Sequence, residues 1–150
     1  MITAQHLSQF PLFRDLPEDL LVKIAALAQG MTVAKNEYIF REGEEADKVH
    51  FLLKGSIALR VKLTSRPESI TVSFVNRPNE IFGWSGLVPP HHYTASALCE
   101  EDCQILTLPG QALMQLLREN PQAGFLVMQR MAEVIADRLR NSRQALLKTI

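Results

Sequence analysis

Between Ile81 and Ala97 the chain reads IFGWSGLVPPHHYTASA, with no Asp, Glu, Lys or Arg. Gly83 and Gly86 make a Gly-x-x-Gly turn after the aromatic Phe82, and a small-residue run from Thr94 to Ala97 follows. Such glycines let a backbone close tightly around a small group, because no Cβ stands in the way. The N–H groups of Gly83 to Leu87, with Ser85, Thr94 and His92, are the donors of a weak anion nest. Below its pKa, His92 would add part of a positive charge. The loop's two largest side chains are Trp84 and Tyr93, flat surfaces with one hydrogen-bonding handle each. The sequence therefore nominates Phe82, Gly83, Trp84, Ser85, Gly86, Leu87, His92, Tyr93, Thr94 and Ala95 as a ligand-binding loop.

Other chemistries find less support. His91 and His92 are adjacent, so in an extended segment they point in opposite directions and chelate poorly. His6 and His50 have no partner at ligand spacing, and no metal site is expected. The serines Ser56, Ser73, Ser85 and Ser96 lie outside any G-x-S-x-G elbow. No G-x-x-x-x-G-K-[ST] phosphate loop is present. No catalytic residue is nominated, and the chain reads as non-enzymatic. Cys99 and Cys103, in CEEDC, are either small buried hydrophobes or a redox pair across a hairpin, and the first is favoured. The acids of the turns, Glu42, Glu44, Glu45, Asp47, Glu100, Glu101 and Asp102, read as solvated hairpin tips.

The elements that must position the loop are legible in the hydrophobic periods. Pro17, Glu18 and Asp19 suit a first helical turn, and Leu20, Leu21, Ile24, Leu27 and Ala28 recur at helical spacing up to Gly30. A shorter helix is expected over Thr3 to Gln9. From Met31 the period becomes two. Val49, Phe51 and Leu53 share one face; Ile57, Leu59, Val61 and Leu63 share another; Ile70, Val72 and Phe74 repeat the pattern. Lys54-Gly55 and Glu100 to Cys103 are turns, with strands on either side. Short strands at this density mean an all-β barrel or sandwich. After Pro109 the helical period returns as QALMQLLREN, and Asn120-Pro121 then opens a long helix running to Ile150.

Along that last helix, Met128, Ala132, Ile135, Leu139, Ser142 and Leu146 are spaced four, three, four, three, four. This is a heptad seam, read as a dimer interface. The competing reading is one amphipathic helix lying on its own barrel. Arg130, Glu133, Asp137, Arg140 and Lys148 are expected on the solvated face, and the basic residues Arg138 and Arg143 are given the same solvated role.

The composition bounds the rest. In 150 residues, Lys plus Arg and Asp plus Glu number 16 each, so the formal net charge is zero. That balance speaks against a chain that coats nucleic acid or an anionic membrane. No apolar run is long enough to span a bilayer and MITAQHLSQF carries no secretory signal, so a cytoplasmic location is expected.

Helix, about eight strands, short helix, long helix: this order resembles the cyclic-nucleotide-binding family, the sensor domain of Crp/Fnr-type regulators. FPLFRDLPEDLLVKIA resembles the family's opening helix. IFREGEEADKVHFLLKGSIAL, with Gly43, Asp47 and Gly55, resembles the first half of its β-roll. PNEIFGWSGLV resembles its phosphate-binding cassette. The resemblance implies a mainly β fold, a double-stranded β-helix of the jelly-roll or cupin-like kind. N-terminal helices would precede it, and a long C-terminal dimerisation helix would follow. Residues 1–120 would form the β-roll domain and 121–150 the dimer helix.

Two departures matter for function. The resemblance implies a carboxylate after the first cassette glycine and an arginine before the Thr-Ala pair, but Trp84 and Tyr93 stand at those positions. An anionic phosphate would lose the charge-assisted bonds that offset its desolvation. Cyclic AMP or cyclic GMP is therefore not expected to bind in the usual way, and no other cofactor is assigned. Either Trp84 and Tyr93 line a pocket for a neutral or aromatic effector, and the chain is a ligand-sensing module that signals through its dimer geometry to a partner, or they fill the old pocket and leave a structural dimerisation or interaction module.

Relatives holding iron–sulfur clusters use N-terminal cysteines, which this stretch lacks; haem-sensing relatives use an axial His or Cys, and nothing singles out His50 or His92 for that role. Cupin enzymes need several His and a Glu converging from two strands, and that grouping is missing. Full-length regulators continue into a helix-turn-helix. LRNSRQALLKTI leaves no recognition helix, so no direct DNA contact and no membrane contact are expected of this chain. It reads as a stand-alone sensor or as a piece of a transcription factor. Its expected partners are a second copy and an unidentified protein.

Overall fold

In the computed structural model, which describes residues 2–149, eight strands form two four-stranded antiparallel sheets. The strands are β1 (Gln29–Val33), β2 (Tyr38–Phe40), β3 (Lys48–Lys54), β4 (Ile57–Lys62), β5 (Ser69–Val75), β6 (Glu80–Phe82), β7 (Ser96–Cys99) and β8 (Cys103–Pro109). One sheet is ordered β1-β8-β3-β6 and the other β2-β7-β4-β5. Consecutive strands thus fall in different sheets as well as in hairpins, which is the double-stranded β-roll the sequence implied. Helices α1 (Ala4–Leu7) and α2 (Glu18–Leu27) precede the roll; α3 (Gly110–Glu119) and α4 (Pro121–Thr149) follow it.

The apolar residues divide into two cores because β3 is buried on both faces. Val49 and Phe51 face the helices and join Leu7, Phe10, Phe13, Leu20, Ile24, Leu113, Val127 and Met131. Phe51 sits 5.3 Å from the Phe10 ring and 5.4 Å from the Phe13 ring, centroid to centroid. On the inner face Leu52 joins Phe40, Ile57, Val72, Val75, Phe82, Tyr93 and Ile105 inside the roll. Near-continuous burial explains why VHFLL carries an apolar run rather than a clean alternation.

One strand departs from the expected pattern. Phe74, expected inward with Ile70 and Val72, is half exposed, while Val75 is fully buried. Val61 pairs with Ile70 and Ile57 with Val75, so the ladder slips by one residue between Leu59 and Arg60. A single extra residue in a ladder flips the parity of every side chain beyond it.

The two glycines flanking the site hold the roll and the helices together. A Cβ on Gly110 would strike the Gly86 carbonyl, and one on Gly86 would strike the Lys48 backbone. The Gly110 N–H also donates to the Asp47 carbonyl at 2.8 Å. Backbone cannot give way as a flexible side chain can, so Gly110→Ala should cost about 3 kcal/mol of overpacking strain. For a chain of this length that is a fall in Tm on the order of 10 °C. Differential scanning calorimetry checks it, and an unchanged Tm would contradict the close approach.

Candidate functional site

Strand β6 delivers the loop. After Phe82 the chain turns through Gly83, whose φ of 65° lies in the left-handed region, into a single 3-10 turn over Trp84–Gly86. A Cβ at Gly83 would meet His50 Cδ2 at 2.7 Å and the Phe40 ring at 2.8 Å. Conformation and crowding both demand glycine there.

Beneath Gly83 lies a cluster of rings. Phe40 and Tyr93 stack face to face, with centroids 3.7 Å apart and planes 8° from parallel. His50 packs 5.1 Å from Phe40 and 5.3 Å from Phe82, centroid to centroid. Its Nε2 lies 3.0 Å from the Tyr93 hydroxyl, which is also 3.4 Å from the Lys48 carbonyl. Burial pushes the His50 pKa down to about 4, helped by the nearby Lys48 charge and opposed by Asp47. Burial pushes the Tyr93 hydroxyl up to about 12, with Asp47 and Glu44 adding to the shift. Both groups are neutral at neutral pH, as groups packed among aromatics must be. His50, which showed no partner in the sequence, thus has one in Tyr93. The signal was its place between Val49 and Phe51, on the inner face of β3.

A cation does reach the loop, and it comes from α4. Arg138, assigned to the solvated surface from sequence, is only 6% exposed. Its Nη2 donates to the Ile81 carbonyl at 2.6 Å and to Glu80 Oε2 at 3.4 Å. Its guanidinium carbon stands 5.2 Å from the centroid of the Trp84 ring. Its Nη1 is buried without a hydrogen-bond partner among the described residues. Desolvation draws the Arg138 pKa down, and Glu80 opposes that shift. Val127, Met131, Val134 and Arg138 are spaced four, three, four along α4. A charge on the helix's apolar stripe was the signal that pointed inward.

Arg138, Trp84 and Tyr93, with Phe40, Leu59, Gly83, Ser85, Thr94 and Ala95, line a cavity of about 50 Å³. Six residues nominated from sequence line it: Gly83, Trp84, Ser85, Tyr93, Thr94 and Ala95. Four do not. Phe82 is fully buried in the roll interior, Leu87 packs against the helical core, and Gly86 is wedged on Lys48. His92 is exposed, its Nδ1 lying 2.9 Å from the Pro90 carbonyl. His91 turns the other way, with Nδ1 3.0 Å from the Ser85 carbonyl.

A model of the cyclic nucleotide-binding domain matches residues 31–120. The chain belongs to the cyclic nucleotide-binding domain family. A solved structure of this family from Geobacter metallireducens GS-15 superposes with a TM-score of 0.78 at 29% identity, covering 93% of this chain and 99% of that one. The global nitrogen regulator of Nostoc is 31% identical over 65% of this chain and 44% of its own length. The isozyme 2 cGMP-dependent protein kinase of Drosophila melanogaster is 28% identical over 76% of this chain and 12% of its length. The chain therefore spans less than half of these two curated relatives, and it is a regulatory-type module in fold.

The Gly83–Leu87 turn is the stretch that resembles the family's phosphate-binding cassette. Here the wider space lies elsewhere: a cavity of about 460 Å³ lined by Met31, Ile39, Phe40, Glu44, Glu45, Lys48, His50, Tyr93 and Thr107. The Phe40–Tyr93 stack borders both spaces. Among the described residues no cluster of three or more His, Cys, Asp or Glu could hold a metal ion, and no helix is long and apolar enough to cross a membrane. Cys99 and Cys103 are free, buried thiols. Burial and its neighbour Cys103 push the Cys99 thiol up to about 12, which leaves it without thiolate character.

One face of α4 packs on the protein's own cores through Ala123, Gly124, Val127, Met131 and Arg138. The other carries the heptad seam. Ile135 is 40% exposed, Leu139 65% and Leu146 42%; Phe125, seven residues before Ala132, extends the seam at 72%. Ala132 is exposed, Ser142 half-buried, and Met128 leans partly against the helical core. The packing of α4 on its own protein, the competing reading, thus occupies one face, and most of the heptad positions lie on the other, exposed one. Arg130 is a second correction to the solvated face: its Nη1 donates to the carbonyls of Leu12, at 3.2 Å, and Arg14.

Proposed function

We propose that this chain is a non-enzymatic regulatory module whose nucleotide pocket is filled by its own side chains. On this reading it acts through pairing of α4 with a second copy and through docking of a further protein. The observation that carries the reading is the cavity of about 50 Å³ left beside the Phe40–Tyr93 stack and Arg138. Pockets that enclose organic ligands hold about 300–1,000 Å³. Trp84 and Tyr93 occupy the positions where the family pattern has an acid and an arginine. The arginine that does approach the cassette is committed through Nη2 to Ile81 and Glu80. A cyclic nucleotide would have to unstack Phe40 from Tyr93 and pull Arg138 from its carbonyl.

Pairing is supported by the seam. Exposed apolar residues at heptad spacing are the form in which helices associate. Thermal denaturation with cyclic AMP and cyclic GMP tests the filled pocket. A ligand at a hundredfold excess over its Kd would add about 2.7 kcal/mol of stability. The expected result is no shift in Tm with either nucleotide, and a shift of several degrees would overturn the reading.

A further inference from the structure

The imidazole of His50 makes one polar contact, between Nε2 and the Tyr93 hydroxyl at 3.0 Å. Its Nδ1 has no hydrogen-bond partner among the described residues, although the residue is only 5% exposed. A neutral imidazole carries a single ring proton. If Nε2–H donates to the tyrosine, Nδ1 is an empty acceptor; if the hydroxyl donates to Nε2, Nδ1–H is an idle donor. In both cases a buried polar atom is unpaired, which is uncommon enough to mark a place for a partner. His50 lines the cavity of about 460 Å³, together with the buried Phe40, Tyr93 and Thr107. Proteins hold organic ligands in spaces of about 300–1,000 Å³. His50 pairs with Thr107 across the β3–β8 ladder, and Met31 of β1 pairs with Ile105 of β8, so these three strands form one wall. Neither the Gly83–Leu87 turn nor Thr94 and Ala95 contributes to this lining, which shares only Phe40 and Tyr93 with the smaller cavity.

The rim of the larger cavity is charged. Glu44, Glu45 and Lys48 are all exposed there, two carboxylates against one ammonium. Glu44 accepts the Arg41 N–H through Oε1, and the Glu45 carboxylate has no ion pair among the described residues. Met31 and Ile39 add apolar wall, and a thioether adapts readily to a flat guest. We propose that this cavity binds a small organic cation, with its ammonium group at Glu44 and Glu45, its apolar ring against Met31, Ile39 and Phe40, and a hydroxyl group at Nδ1 of His50. A hydroxyl both donates and accepts, so it satisfies Nδ1 in either tautomer. The excess of carboxylate favours a cation over an anion of the same shape. The site goes beyond the filled-cassette reading and stands whether or not that reading does.

The probes are tyramine, which carries both polar groups; phenethylamine, which lacks the hydroxyl; p-cresol, which lacks the amine; and 4-hydroxyphenylacetate, which puts a carboxylate where tyramine has nitrogen. Each is titrated into the whole chain and followed by calorimetry and by NMR of the histidine ring nitrogens. Tyramine should saturate a single site, shift the His50 resonances and leave those of His6 and His91 unmoved. Phenethylamine and p-cresol should bind about threefold more weakly, and 4-hydroxyphenylacetate about tenfold. Glu45→Gln, an exposed change, should weaken tyramine about threefold and leave p-cresol unaffected. His50→Phe should erase the advantage of tyramine over phenethylamine, with an unchanged circular dichroism spectrum; if that variant does not fold, Glu45→Gln decides. The proposal is overturned if no probe saturates, if phenethylamine or 4-hydroxyphenylacetate binds as tightly as tyramine, or if tyramine binding is untouched by the substitutions. Uptake of a cyclic nucleotide bears on the cassette alone and is read in its own titration.

Discussion

Leu139→Asp and Ile135→Asp should each sediment as monomers at concentrations where the unaltered chain is dimeric. Leu139 is 65% exposed and Ile135 40%, so neither substitution disturbs the packing of α4 on its own roll. In a two-fold dimer each aspartate would be buried twice, once per copy, without a cation across the seam. Burying an unpaired charge costs about 3–5 kcal/mol, which is on the order of a hundredfold or more in dimer affinity. Arg140→Asp, on the solvated face, should leave association unchanged. Equal association of Leu139→Asp and the unaltered chain would remove α4 as the interface.

The second large effect is acid lability centred on His50. Its pKa is about 4 in the folded chain against 6.5 when exposed. The unfolded chain therefore binds the extra proton first. Above pH 6.5 neither state is protonated and nothing is lost. As pH falls from 6.5 towards 4 the unfolded state gains, and the loss reaches about 3 kcal/mol once pH is below the folded value. His50→Gln keeps a hydrogen-bonding group facing Tyr93 but cannot take up a proton. Urea unfolding at pH 7 and pH 4.5 should show a steep decline for the unaltered chain and a much shallower one for His50→Gln. Parallel declines would mean that carboxylates elsewhere carry the acid sensitivity.

The fold was readable in the sequence because its local and global preferences agree. Alternation in SIALRVKL, glycine in the turn after Lys54, and Asn120-Pro121 before α4 each specify what the structure contains. The turn of the cassette was equally plain, since Gly83 and Gly86 are required by positive φ and by close backbone approach. What escaped was long-range. Arg138 looks like one more surface charge until its place on the Val127–Met131 stripe is noticed. Its destination at Ile81 depends on how α4 crosses the roll, which no local pattern encodes. The inward turn of Val75 depends on a ladder slip opposite Leu59, and periodicity cannot announce an extra residue. The stacking of Phe40 on Tyr93 needed three dimensions, since the two are brought together by the β2–β7 edge.

On the reading proposed above, a filled cassette also changes what the acid and arginine expected at Trp84 and Tyr93 mean. Electrostatics alone left open a pocket for an uncharged effector. Packing bears on this: the Tyr93 ring lies against Phe40 and its hydroxyl against His50, so the ring is itself part of the core.

Isothermal titration of cyclic AMP and cyclic GMP into the unaltered chain probes the occupied cassette most directly. The stacked rings predict no saturable heat up to millimolar nucleotide. One-to-one uptake at micromolar concentration would show that Phe40, Tyr93 and Arg138 yield to the ligand, and the account built on them would fall.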